Sequence, residues 1–463
     1  MSTAVGRPDT PTPEPAGSEP GGRRPLRTRG DLITVAVVAV LVTAVSLLGW
    51  ALIDRGVPIL VPWPPLLAEW LPHVGPGTVP AIVLALVVAL RGPALAQRLG
   101  WRTLLLLSYV VAAGWTLTLA LVDGWTRGVG ERLATDTEYL KEVPRATVSV
   151  PDFLETFTSR IVGMTPGTLV THASGHPPLA TLFYVYLDRI GLTGGYAAGV
   201  VTLLVGASAA VAVALVLAAL AGQDVARRYL PFGVLFPGAV WVGVSADGMF
   251  AAVFAWGVAF LALGAVRRGL GGALLSLLGG VVLGASLYLS YGLVLGGLVP
   301  IAVAVLTRRV TPLLWGAVGA AAVVVVFELS GFSWIEGYEM VKLRYYQPGE
   351  YGLLRPYEYW VWANFAALAL SIGPAVVAGM RRLVWRPRAA PTAVALLVGA
   401  VVVAVVVADV SGLSKSEVER IWLPFAAFMT TATVLLPRVS HRWWLLGQAV
   451  LALAVNHFLL TTW

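Results

Sequence analysis

Between Asp31 and Asp54 the chain reads LITVAVVAVLVTAVSLLGWALI (residues 32–53), twenty-two residues without a charge. About 20 apolar residues are needed for a helix to cross the hydrocarbon core of a bilayer. The run is apolar on every side rather than along one stripe, which suits lipid rather than the surface of a soluble domain. Comparable runs lie near 79–97, 103–123, 195–221, 230–246, 249–266, 270–288, 291–307, 312–330, 359–380, 391–410, 421–437 and 443–460. The fold class expected is therefore an all-α polytopic membrane protein of about thirteen transmembrane helices.

Composition agrees. Of 463 residues, 58% are hydrophobic and 12% charged, about half the charged fraction of an ordinary soluble domain. That excludes a soluble globular enzyme. The chain has no cysteine, so disulfides, thiolate metal sites and cysteine nucleophiles are excluded too. The net charge of +8 is not read as a nucleic-acid footprint, because basic residues in membrane proteins mark the cytoplasmic side.

Residues 1–31, rich in Pro, Gly, Ser and Thr, read as a disordered cytoplasmic tail, and 32–463 as one multispanning domain. Arg23, Arg24, Arg27 and Arg29 precede the first span. The pairs Arg227/Arg228, Arg267/Arg268, Arg308/Arg309, Arg381/Arg382 and Arg438/Arg442 all fall on that same side of the alternation, as do most of the 32 basic residues. Thirteen spans then place the C-terminus outside. Residues 177–190 are too short for a span and read as an interfacial helix. They sit within a long external loop of about 124–194, between the third and fourth spans, and a second external loop covers about 331–358.

Polar residues gather in those outer loops. Asp136 and Glu138, in TDTEYL (135–140), offer two carboxylates two residues apart, suited to acid–base work or cation binding. His172 and His176, in HASGHPPL (172–179), place two imidazoles before a proline-opened helix. Asp136, Glu138, His172 and His176 together offer the donors of a divalent-metal site, and equally of a site without one. The chain's lysines are Lys141, Lys342 and Lys415, all on the outer side against the general bias. Lys342, Arg344 and Arg355 therefore point to an anionic ligand such as a phosphate, or to anionic lipid headgroups. Glu417, Glu419 and Arg420 open the twelfth span in KSEVERIWLPF (415–425), and Asp247 begins the sixth.

These motifs, in this order, resemble the multispanning glycosyltransferases that use polyprenyl-phosphate sugars. The group is that of the protein O-mannosyltransferases and aminoarabinose transferases, with the GT-C fold. The resemblance runs from about 103 to 437 and rests on the acidic pair, H-P-P-L, the outer Asp247 and E-x-E-R-x-W-L-P-F. It implies a sugar donor carried on polyprenyl phosphate, and an acceptor glycan, lipid or protein of the cell envelope. The setting it implies is the outer face of a bacterial plasma membrane, among membrane lipids and without nucleic acid. By the same resemblance Asp136 corresponds to the catalytic carboxylate, accompanied by Glu138, so Asp136→Asn is expected to abolish turnover. Arg420 corresponds to the arginine that neutralises the donor phosphate, helped here by Lys342 or Arg344. His172, His176, Asp247, Glu417, Glu419 and Arg355 are placed in the substrate cavity. A transporter or flippase, or a non-catalytic scaffold of envelope biogenesis, are the competing readings. Transporters, however, usually carry ionisable groups near the bilayer midplane, and none is found there.

Overall fold

The computed structural model describes residues 28–163 and 167–462. They form helices joined by short turns, with one two-stranded pairing. Nine helices among the described residues are long and apolar enough to cross a membrane: Thr28–Asp54, Thr78–Arg98, Trp101–Ala120, Gly194–Ala221, Ala246–Ala265, Gly269–Leu287, Thr311–Leu329, Tyr357–Trp385 and Thr392–Val410. A tenth is counted if Leu423–Leu435 and Arg438–Phe458, bent by 114°, make one span. The first helix begins at Thr28, so the last four residues of the expected tail are helical; residues 1–27 lie outside the described residues.

Of the four remaining expected spans, 443–460 is the continuous helix His441–Phe458 and the other three are interrupted. In 230–246, Pro231 sits in the last turn of Gln223–Val234, and Pro237, Gly238 and Gly243 hold the chain to a four-residue helix, Ala239–Val242. Segment 291–307 is a 3-10 stretch, Tyr291–Gly297, followed by the ten-residue helix Leu298–Thr307. Segment 421–437 divides into Val418–Ile421, Leu423–Met429 and a 3-10 stretch, Thr430–Leu435, before the chain turns into His441–Phe458. Hydropathy reports burial in an apolar medium, which an interrupted helix packed inside a bundle satisfies as well as a continuous one.

Arginines mark one end of the bundle. Arg227 donates to Ala96 O (2.6 Å) and Leu99 O (2.9 Å), and Arg309 to Ala265 O (2.7 Å) and Arg267 O (2.6 Å). Arg228 reaches Val434 O and Leu436 O. Each satisfies carbonyls that a helix end leaves unpaired, at the negative pole of its dipole. At the same end Asp31, fully buried, is clasped by Arg381 (2.9 Å) and Arg382 (2.6 Å).

The opposite end carries the long loops. Strand β1 (Ala68–Trp70) pairs antiparallel with β2 (Leu459–Thr461), so the last residues return to the face reached after the first helix. Trp63 stacks on Trp70 and Trp70 on Phe458 across this pairing. Asp123 accepts from Arg132 (2.5 Å) and pairs with His73 (2.7 Å), while Arg132 also donates to Thr461 O. The expected interfacial segment is an eleven-residue helix, Leu179–Arg189.

Glycines set the helix spacing. A Cβ on Gly280 would lie 1.9 Å from Gly316 O, and one on the adjacent Gly279 would lie 2.7 Å from Leu261 N. Neighbouring glycines thus let Gly269–Leu287 touch one partner helix on each side, the close approach that small residues permit in lipid. Tyr357–Trp385 is broken at Gly373 (φ 77°) and Pro374. Gln448, fully buried, bridges the break by accepting from Ala375 N (3.1 Å) and donating to Ile372 O (2.9 Å).

Candidate functional site

Three short local structures bring distant segments together at the loop-bearing end. Glu138 precedes the 3-10 turn Tyr139–Lys141, and His172 lies on the one-turn helix Thr171–Gly175, whose His172 N donates to Thr137 O. Asp247 stands in the first turn of Ala246–Ala265, which Ser245 caps through Gly248 N. Arg420 lies on the turn Val418–Ile421.

Arg420 is the centre. Its guanidinium donates to Asp247, to Glu417 Oε2 (2.7 Å) and to His172 Nε2 (3.0 Å). A guanidinium has no acceptor, so His172 Nε2 must accept and the ring proton must sit on Nδ1. That nitrogen faces Glu138 Oε1 (3.1 Å) and Thr137 O (3.1 Å). Four chain segments thus join in one buried network, Asp247–Arg420–His172–Glu138, with Glu417 at its edge. Side-chain exposure is 5% for Arg420, 4% for Asp247, 8% for Glu138 and 15% for Glu417.

Burial and charge set the protonation states. Burial raises the Glu138 carboxyl to about 8, against the pull of Arg420 and with help from Asp247 and Glu417. Its second oxygen has no hydrogen-bond partner. Burial, then Arg420, lower His172 to about 3, so the imidazole is neutral. Burial would raise Glu417, but Arg420 and Arg355 outweigh it and hold the carboxylate at about 2. Burial lowers Arg420, yet Asp247, Glu417 and Glu138 together keep it above its ordinary value. Glu419 is fully buried, neither of its oxygens has a partner, and burial raises it to about 7.

A second tier supports the first. Glu417 Oε1 accepts from Arg355 (3.2 Å), which also donates to Lys415 O (2.7 Å) and lies over the rings of Tyr351 and Trp360. Lys415 in turn donates to Gly352 O and Arg355 O. His176 Nδ1 lies 3.0 Å from Tyr139 OH, and Tyr139 stacks on Tyr184. Asn364, inside a span, donates to Asp409 (2.8 Å) and Ser414 O and accepts from Ser416 N (3.1 Å), fixing the turn before Glu417.

Seven expected residues therefore meet: Glu138, His172, Asp247, Glu417 and Arg420 directly, Arg355 through Glu417, and His176 beside Tyr139. Glu419 is buried on the same turn as Arg420. Three stand elsewhere. Asp136 is 94% exposed and paired with Lys141 at 2.6 Å, which lowers its pKa. A turn over 135–138, closed by Glu138 N on Thr135 O (3.1 Å), separates the two carboxylates and leaves Glu138 inside and Asp136 in solvent. Lys342 pairs with Glu339 on the exposed side of Trp334–Tyr345. Arg344 donates to Ile161 O and Leu169 O, tying together the two long loops that carry them. Tyr139, Asn364 and Asp409 had no assigned role; a lone Asn within an apolar run was the available signal for Asn364.

Among the described residues no three His, Asp or Glu side chains converge as metal ligands. At His172 the nitrogen a metal would use already accepts from Arg420. Fold and site together define a multispanning membrane protein with a buried arginine–carboxylate–histidine network at one end. The chain matches no protein-family model, no curated protein and no solved structure.

Proposed function

We propose that the protein is a membrane glycosyltransferase that moves a sugar from a polyprenyl-phosphate donor to a cell-envelope acceptor. One observation carries the reading: a buried guanidinium, Arg420, is joined through neutral His172 to Glu138, a buried carboxyl with one unpartnered oxygen. Transfer needs a base for the acceptor hydroxyl and a cation for the departing phosphate, held a short distance apart in a dry site.

In this reading the acceptor oxygen bonds to the anomeric carbon as the carbon–oxygen bond to the phosphate breaks, with inversion. The hydroxyl proton passes to Glu138, and Arg420 with Arg355 takes the charge of the leaving polyprenyl phosphate. Glu138, rather than the exposed Asp136, is the base. His172 holds the Glu138 carboxyl, and its neutrality leaves Arg420 as the charge directed at phosphate. A base of this kind contributes about 10²–10⁴-fold to rate.

The reading takes the arrangement as GT-C-like with thirteen crossings. In support, two of the interrupted segments have their ends at opposite faces. Residues 228–247 run from Arg228 to Asp247, and 418–436 from Arg420 to the carbonyls that Arg228 holds. The arginine-marked end is then cytoplasmic, and the network faces outward from a bacterial plasma membrane. The test is consumption of polyprenyl-phosphate sugars by purified protein. Arg420→Gln should abolish it; turnover equal to wild type would sink the assignment.

A further inference from the structure

We propose that Glu417 is a displaceable stand-in for a phosphate, occupying a seat that Arg355 and Arg420 form together. This rests on the reading of Arg420 and Arg355 as anion-binding groups, and it goes beyond that reading by naming the residue that occupies their seat and yields it.

The geometry is that of a bridging anion. Glu417 divides its carboxylate, with Oε1 on Arg355 at 3.2 Å and Oε2 on Arg420 at 2.7 Å. Two oxygens of one phosphate group bridge two guanidiniums in the same manner. Both cations are held by other contacts as well: Arg420 by Asp247 and His172, Arg355 by Lys415 O and by the Tyr351 and Trp360 rings. When Glu417 leaves, the two guanidiniums stay aimed at the same point. Exchange of one bridging anion for another also avoids leaving two buried cations uncompensated.

Access and strain single out Glu417 as the member that moves. At 15% exposure its side chain lies nearer the surface than Arg420, Arg355 or Asp247, at 4–5%. Its backbone is left-handed (φ 62°), as is that of Ser416 (φ 78°), and these are the two consecutive non-glycine residues of positive φ among those described. Strain of this kind persists where surrounding contacts impose it, and it gathers at switch and clamp positions. Asn364 Oδ1 on Ser416 N and the Lys415 ammonium on Gly352 O anchor the chain just upstream. Release of the two Arg contacts frees the Glu417 side chain without unmaking that turn.

The shared ligand chemistry is a phosphate monoester or phosphate ion, whether borne on a lipid or free. The experiment measures binding of decaprenyl phosphate and of inorganic phosphate to the full chain in detergent by titration calorimetry. It compares wild type, Glu417→Gln, Glu417→Asp and Arg355→Gln, with thermal melting to establish folding. Removing an internal competitor that holds nine-tenths of the seats tightens apparent affinity about tenfold. Glu417→Gln should therefore bind decaprenyl phosphate about tenfold more tightly, and Arg355→Gln about tenfold more weakly. Tightening toward decaprenyl phosphate alone assigns the seat to a lipid headgroup, and tightening toward both ligands assigns it to phosphate generally. If Glu417→Gln does not fold, Glu417→Asp decides: its shorter carboxylate cannot span both guanidiniums, so it too should bind more tightly. Equal or weaker binding in the folded variant overturns the proposal. That result beside intact donor consumption leaves the transferase reading standing; tightening without donor consumption removes the transferase reading and keeps the exchange.

Discussion

His172 accepts at Nε2 from Arg420 at 3.0 Å and faces Glu138 Oε1 with Nδ1 at 3.1 Å. One imidazole therefore transmits the position of a fixed cation to a carboxyl on a different loop. The ring cannot be charged in this arrangement, because both neighbours fix its tautomer.

Replacing Glu138 by Gln should lower donor turnover about 10²–10⁴-fold, the ordinary contribution of a general base. Asp136→Asn removes an exposed pair with Lys141 and should change turnover by less than about tenfold, since such surface pairs contribute about 0–1 kcal/mol. Steady-state rates of the two variants under identical conditions check the assignment. A larger loss in Asp136→Asn would restore the exposed acid to the catalytic role.

The pH dependence follows from the raised carboxyl. Glu138 must be ionised to accept a proton, and burial first of all holds its pKa at about 8. Turnover should rise with pH and level off above about 8, and this limb should vanish in Glu138→Gln. The sign for stability is opposite. The unfolded chain loses this proton near 4.5 while the folded protein keeps it to about 8, so Glu138 makes folding less favourable as pH climbs through that window. Melting temperatures across it, compared with Glu138→Gln, test this.

Arg420→Gln should also destabilise the protein. Asp247 and Glu417 would lose their charged partner inside a buried network, and breaking such a pair costs about 3–5 kcal/mol. Arg420→Lys should recover only part of that loss, because an ammonium lacks the planar fork that serves three acceptors. Thermal unfolding of both variants, with the lysine variant matching wild type as the contrary result, settles the point.

Much of this architecture was legible in the sequence. Uncharged runs such as 32–53 announced lipid-facing helices, and the Arg227/Arg228 and Arg308/Arg309 pairs marked one end of the bundle. The interruptions were not legible, because hydropathy over 230–246 or 421–437 is the same for a continuous helix and for one broken and packed internally. At the site, residue types and order pointed to Glu138, His172, Asp247 and Arg420. They did not say which of Asp136 and Glu138 faces inward, since that depends on how a loop without regular period turns at Thr137. Nor did they reveal Asn364 or Gln448, whose partners lie 45 to 76 residues away along the chain.

Gln448→Leu should leave Ile372 O and Ala375 N unpaired at the Gly373–Pro374 break, a loss of roughly 2–4 kcal/mol for two buried polar groups. A melting temperature unchanged from wild type would remove Gln448 from that role.

Helix spacing gives a paired test. Gly280→Ala sets a methyl against Gly316 O and should cost about 1–3 kcal/mol. Gly271→Ala, on the same helix with open space around it, should be neutral or slightly stabilising. Equal melting temperatures for the two would contradict the close contact.

The most direct measurement follows release of polyprenyl phosphate from a panel of radiolabelled polyprenyl-phosphate sugars. Purified wild-type protein and Glu138→Gln would be assayed in lipid nanodiscs with envelope extract as acceptor. The account predicts that wild type cleaves one donor and transfers its sugar, and that Glu138→Gln binds the same donor but releases almost none. Equal release by both proteins, or passage of an intact lipid-linked sugar across proteoliposomes with no bond broken, would contradict it.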